Sequence, residues 1–211
     1  MSAPAQPFPH RRQFLLGLGL LSQTGAGPRL RIVTVLGDSI TAGLGLPARD
    51  AMPAQLQAAL ARRGVSVVVR AAGVSGDTSG GGLARVGFSV ANDTAVCVVA
   101  LGGNDLLQGV DPALTKANLR GVLRKLKARG IGAVLVGVAA PSTIGAAYAR
   151  EFNAIYPSLA REFGVPLYAN ILLGVNGDPA LLQRDGIHPN AAGAKRIAEA
   201  LAPVVARALK A

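Results

Sequence analysis

Residues 94–105 read TAVCVVALGGND. From 94 to 101 the run holds no charge and does not alternate with polar residues. A strand with one wet face alternates; a continuous apolar run is what a strand covered on both faces needs, and such strands belong to parallel sheets flanked by helices. The run then breaks into Gly-Gly-Asn-Asp. In parallel α/β sheets functional groups gather beyond the carboxyl ends of the strands, so this loop is a place to look for chemistry.

The same cadence extends in both directions. Residues 31–36 (RIVTVL) read as a strand ending at Gly37, and further strands are expected at 65–70, 131–138 and 165–168. Between them lie helical stretches at 52–63, closed by Gly64, at 77–86, at 112–129, closed by Gly130, and at 146–163. A last amphipathic helix over 189–209 carries Ile197, Leu201, Val205 and Leu209, with Pro203 expected to kink it. Strand and helix alternate about five times, which predicts a parallel sheet with helices on both faces and right-handed crossovers.

Composition narrows the function. Half of the 211 residues are apolar and 16% are charged, which excludes wholesale disorder. No apolar run reaches the length of a membrane-spanning helix. The single cysteine, Cys97, excludes a disulfide scaffold and reads as an inert core thiol in mid-strand. The net charge is +11, but the basic residues are scattered, there is no Trp, and Phe and Tyr are few. That is a solvated basic surface, not a nucleic-acid platform.

Residues 1–26 read differently. Arg11-Arg12 precede an apolar stretch over 14–21, and small and polar residues follow to Ala26. This is the layout of an export signal, too short to span a bilayer, and its RRQFLL order resembles the twin-arginine signal of bacteria. The expected organisation is a leader over 1–26, removed on export to the periplasm or beyond, and one globular domain over 27–211, which stays in the cytoplasm if the leader does not function.

Four strand-end loops carry reactive side chains: Gly37-Asp38-Ser39-Ile40-Thr41, Gly73 to Thr78, Gly102-Gly103-Asn104-Asp105, and Asp185-Gly186-Ile187-His188-Pro189. A serine hydroxyl is a weak nucleophile and needs a base. With His10 in the leader, His188 is the one histidine left to serve Ser39. Asp185, three residues upstream, can fold back on the imidazole. Acyl transfer also needs donors for an oxyanion; the N–H groups of Ser39 and Gly76 and the amide of Asn104 are candidates. Each block alone has a plain reading: a turn, a helix cap at Asp77 or Thr78, a polar loop, an N-cap at Asn190. Asp38 is expected to hold its turn and Asp105 to bond within its own loop. The coincidence of four blocks in order favours a shared site.

At these blocks the chain resembles the SGNH hydrolase superfamily, the GDSL esterases and lipases. It is most similar to the bacterial arylesterase and multifunctional thioesterase/lysophospholipase group, through GDSIT at 37–41, SGDTSGGGLAR at 75–85, GGND at 102–105, FNAIYPSLAREFGVP at 152–166 and DGIHPN at 185–190. The resemblance implies a flavodoxin-like three-layer α/β/α sandwich on a five-stranded parallel sheet. It implies Ser39 as nucleophile, Asp185 and His188 as the rest of a triad, and Ser39, Gly76 and Asn104 as oxyanion donors. Relatives often have Asn where Ala71 stands. The expected activity is hydrolysis of aryl and short-to-medium acyl esters, thioesters and lysophospholipids, by a monomer without metal or other cofactor. Leu106, Leu107, Val110 and Ile144 are candidates for the acyl groove, with core or surface packing as the alternative. Two other readings stay open: a carbohydrate O-acetyl esterase or acyltransferase on the same triad, and, more remotely, a non-catalytic nucleotide-binding module. The latter lacks both G-x-x-x-x-G-K-[ST] and a strand-linked G-x-G-x-x-G.

Overall fold

The computed structural model describes residues 1–2 and 30–210; beyond its first two residues, the expected leader lies outside the described residues. Five strands, β1 (Arg31–Gly37), β2 (Val67–Gly73), β3 (Thr94–Ala100), β4 (Gly132–Val136) and β5 (Leu167–Tyr168), form one sheet in the order β2-β1-β3-β4-β5. Every pair is parallel. Five helices, α2 (Met52–Ala61), α3 (Ser79–Ser89), α5 (Pro112–Ala128), α6 (Ala146–Phe163) and α7 (Ala191–Ala208), cover it; two short helices, α1 (Ser39–Ala42) and α4 (Gly103–Leu107), sit at strand ends.

The apolar run of β3 is explained by what lies on either side. Val96 and Val98 pack with Met52, Leu56, Ile197 and Leu201 beneath α2 and α7. Their neighbours Cys97 and Val99 pack with Leu119, Leu123, Phe152 and Tyr156 beneath α5 and α6. Side chains alternate across a strand, so both parities must be apolar when both faces are covered. Each fully buried side chain of this size contributes roughly 1.5–3 kcal/mol. Burial pushes the Cys97 thiol up to about 12, which keeps it protonated and unreactive.

Local signals set the helix ends. Asp111 caps α5 by accepting from the Ala113 N–H, Pro112 follows at the first turn, and Lys125 and Lys127 lie at the negative end of the dipole. Gly130 closes that helix at φ 66°. Thr78 caps α3, and Asn190 caps α7 by accepting from Ala192 and Gly193.

The expected boundaries move where pairing outweighs propensity. β2 runs on through Ala71-Ala72-Gly73, three poor strand formers, because they pair in register with Val35, Leu36 and Gly37. α3 begins after Asp77 and ends at Ser89, and β5 shrinks to two residues. α1 and α4 fall where loops were expected; neither is long enough to show a hydrophobic period. Strand order reverses between β1 and β3, and the crevice beyond their carboxyl ends is where α/β sheets of this order bind ligands.

Candidate active site

β1 delivers Ser39 to that crevice through a tight turn. A Cβ at Gly37 would lie 2.5 Å from the Ala100 carbonyl oxygen and 2.6 Å from Thr41 Oγ1, so the strand can end this close to β3 only on glycine. Asp38 then caps α1, its Oδ1 accepting from the Ile40 N–H at 3.1 Å, as its turn-holding role requires. Ser39 opens the helix, and Thr41 donates back to the Asp38 carbonyl at 2.9 Å. Asp38 is only 6% exposed, and burial pushes its carboxyl up to about 6 against the opposing pull of the Ile40 N–H and of His188.

Ser39 Oγ lies 2.8 Å from His188 Nε2. The other ring nitrogen, Nδ1, is 2.6 Å from Asp185 Oδ2. A carboxylate can only accept, so Nδ1 carries the proton and Nε2 is left as the acceptor for the serine hydroxyl. Asp185 Oδ1 accepts from the N–H groups of Ile187 and His188 at 2.9 and 3.0 Å, closing a turn around the carboxylate. The His188 ring bond, followed by these two N–H groups, holds Asp185 down to about 2, so it stays ionised.

The loop that carries His188 is braced. Gln183 accepts nothing from the triad but donates from Nε2 to the carbonyls of Leu44 at 2.7 Å and Pro189 at 3.0 Å, tying the histidine loop to the chain beyond α1. Its backbone N–H donates to the His188 carbonyl at 2.7 Å. Sequence reading missed Gln183, which sits in no recognisable motif.

Gly76 takes φ 81°, a conformation that side chains rarely adopt. Asn104, in α4, donates from Nδ2 to the Asp77 carbonyl at 2.9 Å, which commits one amide hydrogen and leaves the other for a ligand. Asp105 does not turn back on its own loop as expected. Its carboxylate accepts from the Ser79 N–H at 2.7 Å, from the Ser79 hydroxyl, and from Thr115 Oγ1 at 3.1 Å, joining the starts of α3, α4 and α5.

Ser39, Gly76, Asn104 and His188 line one cavity of about 530 Å3. Leu106 and Leu107 line it as well, with Ile40, Leu44, Val136, Val138, Ala139, Ala140, Pro141, Ile171, Leu172 and Ile187 supplying most of the remaining wall. Val110 and Ile144 are not among the lining residues. The Val110 carbonyl is turned toward α6 to accept from Tyr148 Oη at 2.8 Å, and Ile144 stands exposed in the 3-10 turn Ser142–Ile144. Sequence reading missed the wall at the ends of β4 and β5, because its valines and alanines look like ordinary strand residues. Among the described residues no group of three or more His, Cys, Asp or Glu is gathered as a metal ion would need.

Residues 35–196 match the family model described as GDSL-like Lipase/Acylhydrolase family. The chain is 39% identical over 191 residues to Esterase TesA of Pseudomonas aeruginosa, an alignment covering 90% of this chain and 94% of that relative. It is 41% identical over 157 residues to the thioesterase 1/protease 1/lysophospholipase L1 of Escherichia coli, covering 74% of each. A crystal structure of TesA superposes with a TM-score of 0.79 at 37% identity, over 84% of this chain and 99% of that one.

Proposed function

Because the chain belongs to the GDSL-like lipase/acylhydrolase family of ester hydrolases, we propose that Ser39, His188 and Asp185 are its catalytic triad. The observation that carries this is the unbroken hydrogen-bonded path from Ser39 Oγ through the imidazole to Asp185, opening on an apolar cavity.

Ser39 Oγ attacks the acyl carbon while His188 Nε2 takes its proton, and Asp185 stabilises the imidazolium that forms. The carbonyl oxygen becomes an oxyanion held by the N–H groups of Ser39 and Gly76 and the remaining amide hydrogen of Asn104. The tetrahedral centre collapses as His188 returns the proton to the leaving oxygen or sulfur. Water then attacks the acyl-enzyme by the same relay and regenerates Ser39.

The cavity supports an acyl group as the bound moiety: its wall is mostly aliphatic, and the triad residues Ser39 and His188 are among the polar groups that line it. Aryl esters, short-to-medium acyl esters, thioesters and lysophospholipids share such a group. We assign residues 1–26 as an export leader, which places the enzyme in the periplasm or outside the cell. The test is hydrolysis of p-nitrophenyl esters of increasing acyl length by the full chain beside Ser39→Ala. Activity that vanishes in the variant supports the reading; equal activity in both overturns it.

A further inference from the structure

The mechanism leaves Arg85 unused, yet its guanidinium lies directly behind the site. Its side chain and that of Asp77 are each only 11% exposed. Nε donates to Asp77 Oδ2 at 2.6 Å, Nη1 to the Ala72 carbonyl at 2.7 Å and to Ser89 Oγ at 3.2 Å, and Nη2 to the Gly37 carbonyl at 2.8 Å. One planar cation thus holds the last residue of β1, the end of β2 and the residue that follows Gly76.

Two of these anchors lie next to the chemistry. Gly37 leads into Asp38-Ser39. Asp77 follows Gly76, and its carbonyl receives the Asn104 amide. The Asp77 carboxylate fits here only because Gly81 carries no side chain: a Cβ there would fall on Asp77 Oδ1. A buried guanidinium needs hydrogen-bond partners for its other donors as well as a carboxylate for its charge, and which groups supply them decides what it holds in place. Here two of those donors go to backbone carbonyls, one at the end of β1, which carries the nucleophile turn, and one on its neighbour β2, with a third on Ser89 Oγ; this uses the fixed fork of the guanidinium and not merely its charge.

We propose that Arg85 is a positioning residue for the oxyanion site. Through Asp77 and the Gly37 carbonyl it sets the distance between Ser39 and the donors on Gly76 and Asn104. This rests on the assignment of those three residues in the proposed mechanism.

Arg85→Lys is the discriminating variant, because it keeps a cation beside Asp77 and loses the fork. With p-nitrophenyl butyrate as substrate, kcat should fall by roughly 10–100-fold, a part of what removing a whole oxyanion donor costs, while KM stays within about twofold. Combined with Asn104→Ala, the second substitution should add no more than about a twofold loss, since both act on one set of donors. An unchanged kcat in Arg85→Lys, or full losses that multiply in the double variant, would overturn the proposal. If Arg85→Lys does not fold, Asp77→Asn, which keeps the carbonyl and drops the ion pair, is taken through the same cycle, and the same results support or overturn the proposal. Ser39→Ala is assayed alongside; retained activity there removes the underlying mechanism and is read independently of the Arg85 and Asp77 variants.

Discussion

Ser39 Oγ and His188 Nε2 stand 2.8 Å apart although 149 residues separate them in the chain. Nothing local holds this contact. Ser39 is fixed from below by the β1 turn, and His188 from above by a loop whose brace, Gln183, reaches across to the Leu44 carbonyl. The pair therefore reports on the whole sheet: β1 must end where it does and α7 must pack where it does.

Removing either partner should abolish the reaction. Ser39→Ala and His188→Ala are each expected to lower kcat by about 10^4–10^6-fold, and the double variant no further, because the two act as one unit. Losses that multiply would show that the histidine works elsewhere.

Asp185→Asn should lower kcat by roughly 10^4-fold, because the amide can stabilise the wrong tautomer of His188. Asp185 is held down to about 2 from an ordinary 3.8. Its stabilising contribution is fully present above the ordinary value and is lost as pH falls through about 2. A kcat/KM profile between pH 4 and 9 should contain no step from this carboxylate; an acidic step that disappears in Asp185→Asn while activity persists would contradict this.

Asp38 predicts the opposite slope. Its folded carboxyl is raised from 3.8 to about 6, so between these values the folded chain keeps a proton that the unfolded chain has released. Stability should therefore fall as pH rises through that window, by up to about 3 kcal/mol. Asp38→Asn retains the cap acceptor without the buried charge, and urea midpoints from pH 4 to 8 should show a flatter dependence and a more stable variant at pH 8. An identical slope in both proteins would refute it.

Ala139 lines the cavity near the end of β4. Ala139→Leu should shift preference toward shorter p-nitrophenyl esters, with kcat/KM for the longer chains falling about tenfold, one or two methylenes' worth of contact. A uniform loss across all lengths would place the acyl chain elsewhere.

Tyr156 is 2% exposed and donates its hydroxyl to the Leu101 carbonyl at 2.9 Å, just before the Gly102-Gly103-Asn104 turn. Tyr156→Phe leaves that carbonyl unpaired in the core, and a loss of about 1–3 kcal/mol in chemical denaturation is expected. A neutral outcome would mean that the turn is held by Gly102 alone, at φ 114°.

The alternation of elements was legible in the chain because it is written in periodicity: the unbroken run at 94–101 required two covered faces, and the structure supplies α2 and α7 on one side and α3, α5 and α6 on the other. The motif blocks were legible through their coincidence, four of them in order at expected strand ends and helix starts and resembling those of one family, and Ser39, His188 and Asp185 do meet in space. What tertiary structure alone decided is everything that depends on distance between segments remote in sequence. It turned Asp105 toward Ser79 and Thr115, put Val110 and Ile144 outside the cavity, and built the wall from Val138, Ala139 and Leu172. It also gave Arg85 acceptors on β1, on β2, on its own helix and on the loop before it. An arginine on a helix reads as a solvated charge until the strands beside it are placed, because a sequence encodes which side chains can bond but only packing brings their partners within about 3 Å.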